Sequence, residues 1–169
     1  MFKQVFLPIL ACIVFITIVG IFTQKYKGGK IDLFSNNPKV TASSQATHTI
    51  KVNGKELAVE VARTDSERQK GLSQRAVLEE NTGMLFVFET KNVTPSFWMK
   101  DMLIPLDLIW IKDGKIIKID KNAPVEKDTP DNKLKIYSTG EPINYVLEVN
   151  ASFSDKNGIK VGDSVEISL

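Results

Sequence analysis

Cysteine and histidine are nearly missing from this chain of 169 residues, with one Cys at position 12 and one His at position 48. Past His48 neither occurs. That excludes internal disulfides, thiol redox work, Ser-His-Asp or Cys-His nucleophiles, and zinc sites built from His and Cys. Arginine is scarce too, the only three being Arg63, Arg68 and Arg75. Residues 1–47 hold five lysines and one aspartate, so the formal charge of +2 conceals a remainder with 17 basic against 19 acidic side chains. A nucleic-acid surface is a basic face with arginine or aromatic contacts, so nucleic acid is not an expected partner. No glycine-rich loop leads from a strand into a helix, which removes the usual phosphate cradle. No cofactor and no metal is expected, and the chemistry that remains is that of carboxylates.

What the chain does have is a long uncharged run at its start. No charged residue lies between Gln4 and Gln24, and residues 5–22 are apolar apart from a few small or weakly polar positions. About 20 such residues suffice to cross a bilayer as a helix. Residues 1–24 therefore read as a transmembrane anchor or a signal segment, with the membrane as partner through residues 5–22. A signal peptide has a shorter apolar core and a small-residue cleavage site, which the Phe22-Thr23-Gln24-Lys25 exit does not offer, so an anchor is favoured. Ile9-Leu10-Ala11-Cys12 has the look of a lipidation box, but the apolar run continues past Cys12 to Phe22, where a polar linker belongs. Lys25, Lys27 and Lys30 would by charge alone keep the following domain in the cytoplasm, although they also suit anionic headgroups. A lead of four residues before the apolar run argues for export, and a single-pass protein with an extracytoplasmic domain is the expectation.

Residues 25–47 are rich in Gly, Ser, Asn, Thr and Lys without apolar period, and read as a flexible tether. Residues 48–169 then read as a single domain. Thr49-Ile50-Lys51-Val52 and Leu57-Ala58-Val59-Glu60-Val61 flank Asn53-Gly54, the pair that suits a type I′ hairpin turn. Thr64-Asp65-Ser66-Glu67 is a capping box, predicting a helix over Asp65 to Lys70 that Gly71 closes. Met84 to Phe88 has no polar face and predicts a strand buried on both sides. A strand over Pro105 to Ile111 is joined through Lys112-Asp113-Gly114 to Lys115–Ile119. The stretch from Asp120 to Lys133 reads as a loop. Leu134–Ser138, Ile143–Val149 and Val165–Leu169 complete eight or so strands. The expected fold is mainly β, a compact antiparallel sandwich or barrel with one or two short helices.

Several of these segments carry a resemblance. The stretch GMLFVFETKNVTPSFWMKDMLIPLDLIWI from Gly83 to Ile111, with Glu67-Arg68 and Gly71-Leu72 before it and Tyr145 to Asn150 after it, resembles the bacterial and archaeal domain of unknown function 192. The resemblance spans roughly Ile50 to Ile167. Ser73 stands where that family usually has Met, Asp101 where it usually has Asn, and Ser152 where Gly is common. The resemblance implies a compact jelly-roll-like β fold and an exported or envelope setting. It implies no catalytic residue.

Candidate site residues come from anomalies in the strands. Asp107 interrupts a run in which Leu106, Leu108 and Trp110 share one face, and itself shares a face with Ile109 and Ile111. A buried carboxylate costs several kcal/mol unless paired or hydrogen-bonded. It is either a structural acceptor that fixes a turn or a site carboxylate, with Lys100 or Arg75 as partner. Glu148 repeats the anomaly, on a face with Val146 and Asn150. Were Asp107 and Glu148 to share a concavity, they could act as a glycosidase pair, or with Asn150 hold a hard cation, although the Asp-rich loop of a calcium site is absent. Phe97, Trp98 and Tyr145 can stack on a sugar ring or a peptide, with Lys100 and Asp101 as polar neighbours, or can simply be core. Arg68 and Arg75 can hold an anion or pin the helix, and Met84, Met99 and Met102 read as core filling. The leading expectation is a membrane-tethered extracytoplasmic binding module for an envelope glycan or protein. Its rivals are a glycan-directed hydrolase using Asp107 and Glu148, and a purely structural module.

Overall fold

The computed structural model describes residues 47–89 and 93–169. The expected anchor, Cys12 and all of the expected tether but Thr47 lie outside the described residues. Among the described residues no helix is long and apolar enough to cross a membrane.

Local chemistry builds the first elements. β1 (Thr47–Val52) and β2 (Lys55–Ala62) pair antiparallel across Asn53 and Gly54, whose φ angles of 50° and 80° are those a type I′ turn requires. α1 (Asp65–Lys70) starts at the capping box. The Thr64 hydroxyl accepts from the Glu67 amide at 3.2 Å, and Glu67 Oε2 accepts from the Thr64 amide at 2.9 Å. Both satisfy amides that a helix start leaves unpaired. β3 (Thr82–Val87), β4 (Leu106–Lys112), β5 (Lys115–Ala123), β6 (Tyr145–Asn150), the single turn α2 (Phe153–Lys156) and β7 (Val165–Ile167) follow. Asp113 and Gly114 turn β4 into β5, again with positive φ at both positions.

The strands form one sheet in the order β5-β4-β6-β3-β2-β1-β7. All neighbours are antiparallel except β2 and β3, which run parallel because the connection carrying α1 crosses over between them. The sheet curls until its two edges touch. Lys115 bridges Ser164, the Ile116 amide donates to the Asp163 carbonyl at 3.0 Å, and the Val165 amide to the Gly114 carbonyl at 2.9 Å. The result is a seven-stranded half-barrel with two short helices.

Both faces of this sheet are covered. Leu57, Val59, Leu85, Ile109, Ile111, Leu147 and Val149 fill the inside of the curl. On the outer face Phe86, Leu106, Leu108, Trp110 and Val146 lie beneath loops that bring Leu72, Met99, Met102, Tyr137 and Ile143 over them. Burial on two sides explains why β3 and β4 read as unbroken apolar runs. At Gly83 a Cβ would lie 2.5 Å from the carbonyl oxygen of Glu148, so only glycine lets β3 approach β6 this closely. Trp110 and Phe86 are 0% and 1% exposed. Truncating either to Ala is expected to cost about 3–5 kcal/mol in equilibrium denaturation. A loss below about 1 kcal/mol at both would contradict their place in the core.

The structure departs from expectation in particular ways. Of the two expected forms, sandwich or barrel, it takes the barrel-like one: a single sheet curls around its own core and loops cover its outer face, in place of a two-sheet jelly roll. Leu134–Ser138 is not a strand: only Tyr137 pairs, with Phe97, while Lys135 and Ile136 are exposed. The expected loop from Asp120 begins later, because β5 runs on to Ala123 past an irregular register opposite Asp107. Pro105 lies outside β4, having no amide to give a ladder. Thr47, expected in the tether, opens β1.

Candidate functional site

The two carboxylates singled out by the sequence point from opposite faces of the sheet. Asp107 pairs in register with Val149 and faces the inside of the curl, whereas Glu148 pairs with Leu108 and Met84 and faces outward. They do not share a concavity.

Asp107 is wholly buried. Its Oδ1 accepts from the amides of Asn122 at 2.8 Å and Ser152 at 3.1 Å, and its Oδ2 from the amide of Ser154 at 2.9 Å. Asn122 and Ser152 have left-handed backbones, with φ of 53° and 66°. The carboxylate therefore ties the irregular end of β5 and the corner between β6 and α2 to β4. Neither expected partner reaches it. Arg75 forks onto Glu60, with Nη2 to Oε2 at 2.9 Å, and Lys100 pairs with Asp131 at 2.5 Å.

Glu148 has a different environment. It is 5% exposed, and its Oε2 has no hydrogen-bond partner among the described residues. Burial without a partner pushes its carboxyl up to about 8, so it carries a proton at neutral pH. It lies at the base of a groove of about 380 Å³ whose walls include Leu72, Phe86, Phe88, Phe97, Trp98 and Met102. Phe97 anchors this wall, meeting Phe86 edge-on at 4.9 Å, Trp110 at 5.5 Å and Phe88 at 6.3 Å between ring centres. Its backbone is held by reciprocal 2.9 Å hydrogen bonds with Tyr137. Trp98, next along, is 53% exposed. Arg68, Gln69, Lys70, Ser73, Ser96 and Lys100 also line the groove. The Arg68 guanidinium sits 5.5 Å over the Phe88 ring, donates to the Val87 carbonyl at 3.0 Å and pairs with Asp65.

The structure thus gathers Glu148, Trp98, Lys100, Phe97 and Arg68 in one place and leaves five other candidates outside it. Asn150 donates Nδ2 to the Leu78 carbonyl at 2.8 Å and faces a separate cavity with Pro105 and Phe153. Asp101 has φ of 56°, and its carbonyl accepts from the Gln74 amide at 3.0 Å. Arg75 belongs to Glu60, and Asp107 to its three amides. Tyr145 is partly buried on the inner face, packed against that core. Met84, Met99 and Met102 are buried. Phe88 was not foreseen as a site residue, and Phe86 only as core. Their signal was the family-like motifs themselves: Arg68, Gly71-Leu72, Phe86, Phe97-Trp98, Met102 and Glu148 all fall within them and all line the groove.

A match to the model of the domain of unknown function 192 family, described as an uncharacterized ACR, covers residues 48–167. The chain belongs to that family. Solved structures that share its fold include these two. One is from Sinorhizobium meliloti 1021 and is described as a proposed transcription regulator; it is 33% identical with a TM-score of 0.64, over 73% of this chain and 95% of that one. The other, a protein of unknown function from Novosphingobium aromaticivorans DSM 12444, is 31% identical with a TM-score of 0.66, over 75% of this chain and 89% of that one. No curated protein matches.

Proposed function

We propose that this member of the domain of unknown function 192 family is a ligand-binding module of the cell envelope, held at the membrane by its N-terminal segment with the β domain outside the cytoplasm. Its site is the aromatic groove above Glu148. One observation carries this reading: a buried carboxyl without a partner closes the floor of a groove whose edge holds a half-exposed tryptophan. An unpaired buried polar group costs about 1–3 kcal/mol, and a ligand that supplies its hydrogen bonds recovers that cost. The groove volume falls in the range of small-molecule sites, which join apolar walls to a few placed polar groups.

Binding is better supported than hydrolysis by a carboxylate pair, because such a pair must flank one bond from the same cleft. Asp107 is on the far face with its oxygens already occupied. Nucleic acid is not the partner we propose, since the domain carries only three arginines and slightly more acidic than basic groups. A tether would add to the effect of modest affinity by concentrating the groove near its target.

The test uses the two tryptophans. Trp110 is buried and Trp98 is exposed, so an occupant of the groove should change emission chiefly through Trp98. The 169-residue chain in detergent, titrated with a solubilised envelope extract, is expected to give a saturable shift that Trp98→Phe removes. No saturable response would defeat the binding reading. For the topology, a C-terminal tag on membrane-bound protein should be digested by protease added to spheroplasts, and protection of the tag would place the domain inside instead.

A further inference from the structure

Resting on that reading, we propose that the groove holds a neutral sugar ring, stacked on Trp98 with adjacent hydroxyl groups hydrogen-bonded to the carboxyl of Glu148.

The distribution of charge comes first. Among the described residues the rim holds three cations, of which two are already matched, Arg68 by Asp65 and Lys100 by Asp131, and the third is Lys70. On the outer face the nearest carboxylates in register with Glu148 are Glu60 and Asp120. Each lies one strand beyond the Met84 or Leu108 neighbour, and each is matched, by Arg75 and by Lys118 with Trp110. Glu148 itself holds its proton at neutral pH. A cationic ligand would have to ionise a buried carboxyl after passing three basic side chains. An anionic ligand would find Arg68 and Lys100 already paired with carboxylates and, among the described residues, no cation at the floor. A near-neutral groove suits a near-neutral ligand.

The distribution of polarity narrows the choice further. The walls are aromatic or aliphatic, and among the described residues the polar side chains are Glu148 at the floor and Arg68, Gln69, Lys70, Ser73, Ser96 and Lys100 at the rim. A purely apolar ligand would leave the floor carboxyl unpaired. An extended peptide needs backbone partners along its length, which aromatic walls do not supply. A sugar ring has C–H faces that match the indole and an equator of hydroxyls that reaches floor and rim together. A protonated carboxyl offers one O–H donor beside one carbonyl acceptor, and each hydroxyl can answer either.

The probes are glucose, galactose, N-acetylglucosamine and their disaccharides, added to the full chain in detergent and read by saturation-transfer NMR and Trp98 emission. At least one is expected to bind saturably. Trp98→Ala and Glu148→Leu should each weaken it tenfold or more, and Glu148→Gln, which restores a donor and an acceptor, should recover most of the loss. Trp98 is exposed enough that its substitution tests the site without testing the core. If Glu148→Gln behaves like Glu148→Leu, or if methylammonium or an N-acetyl dipeptide amide binds where sugars do not, the sugar assignment is wrong. A saturable response to the envelope extract that no sugar reproduces also overturns it, yet leaves the binding reading standing. Silence with both extract and sugars removes the two together.

Discussion

Glu148→Gln is expected to stabilise the domain by several kcal/mol at pH 9 and to change it little at pH 5. The sign follows from proton linkage. The carboxyl is held up to about 8 in the folded state, against 4.5 for an ordinary glutamate. Between those values the folded protein keeps a proton that the unfolded chain has released. Stability therefore falls as pH rises from about 4.5, reaches its full loss near pH 8, and is flat above. The slope is about 1.4 kcal/mol per pH unit, so the total is on the order of 4–5 kcal/mol. Glutamine has no proton to exchange and escapes this penalty. Over pH 5 to 9 the melting temperature of the natural chain should fall by on the order of 10 °C more than that of the variant. Parallel melting profiles would mean that Glu148 is solvated or paired in solution. The same measurement bears on binding, because retaining a destabilising acid makes sense where an occupant satisfies it.

Asp107→Ala should have the opposite character, a loss of about 3–5 kcal/mol with no gain at any pH from 5 to 9. Three buried amides, of Asn122, Ser152 and Ser154, would lose their acceptor at once. Asp107→Asn keeps one acceptor oxygen but turns an NH₂ toward an amide that also donates, and should be nearly as costly. Urea denaturation followed by circular dichroism measures both. A cost below about 1 kcal/mol would mean that water or backbone movement replaces the carboxylate. In the folded fraction, occupancy of the groove on the other face should be unaffected, which separates the two acids by experiment as they are separated by the sheet.

How much of this was legible in the sequence depends on how local the cause is. The Asn53-Gly54 and Asp113-Gly114 hairpins and the Thr64 cap were readable because a turn or a cap is decided by a few adjacent residues. Strand alternation also placed Asp107 with Ile109 and Ile111 and Glu148 with Val146, as found. It could not say that these two faces are opposite sides of one sheet. That depends on β6 lying between β4 and β3, a pairing across distant segments. The parallel match of β2 with β3 was hidden for the same reason. Leu134–Ser138 misled because its composition suits a strand while Phe97 offers it a single bridge. The departures at Asp101 and Ser152 from the family's usual Asn and Gly have a physical reading: both positions have left-handed backbones, where those two residues are most at ease. Of the site, Trp98 and Glu148 stood out as anomalies, and the groove that joins them is a product of loops folding over the sheet.

The touching edges of the sheet bear on how the chain is made. β1 gains its second neighbour only from β7, through Ile50 with Ile167 and Val52 with Val165, and the free side of β5 is met by the residues just before β7. While a ribosome is still making that last strand, β1 and β5 both present unpaired amides and carbonyls, a template for wrong association. The β1–β7 pairing joins residues 50–52 to residues 165–167, so it is a long-range contact that can form only after the rest of the domain has been made. Chaperones that shield exposed strands would be most needed during that interval.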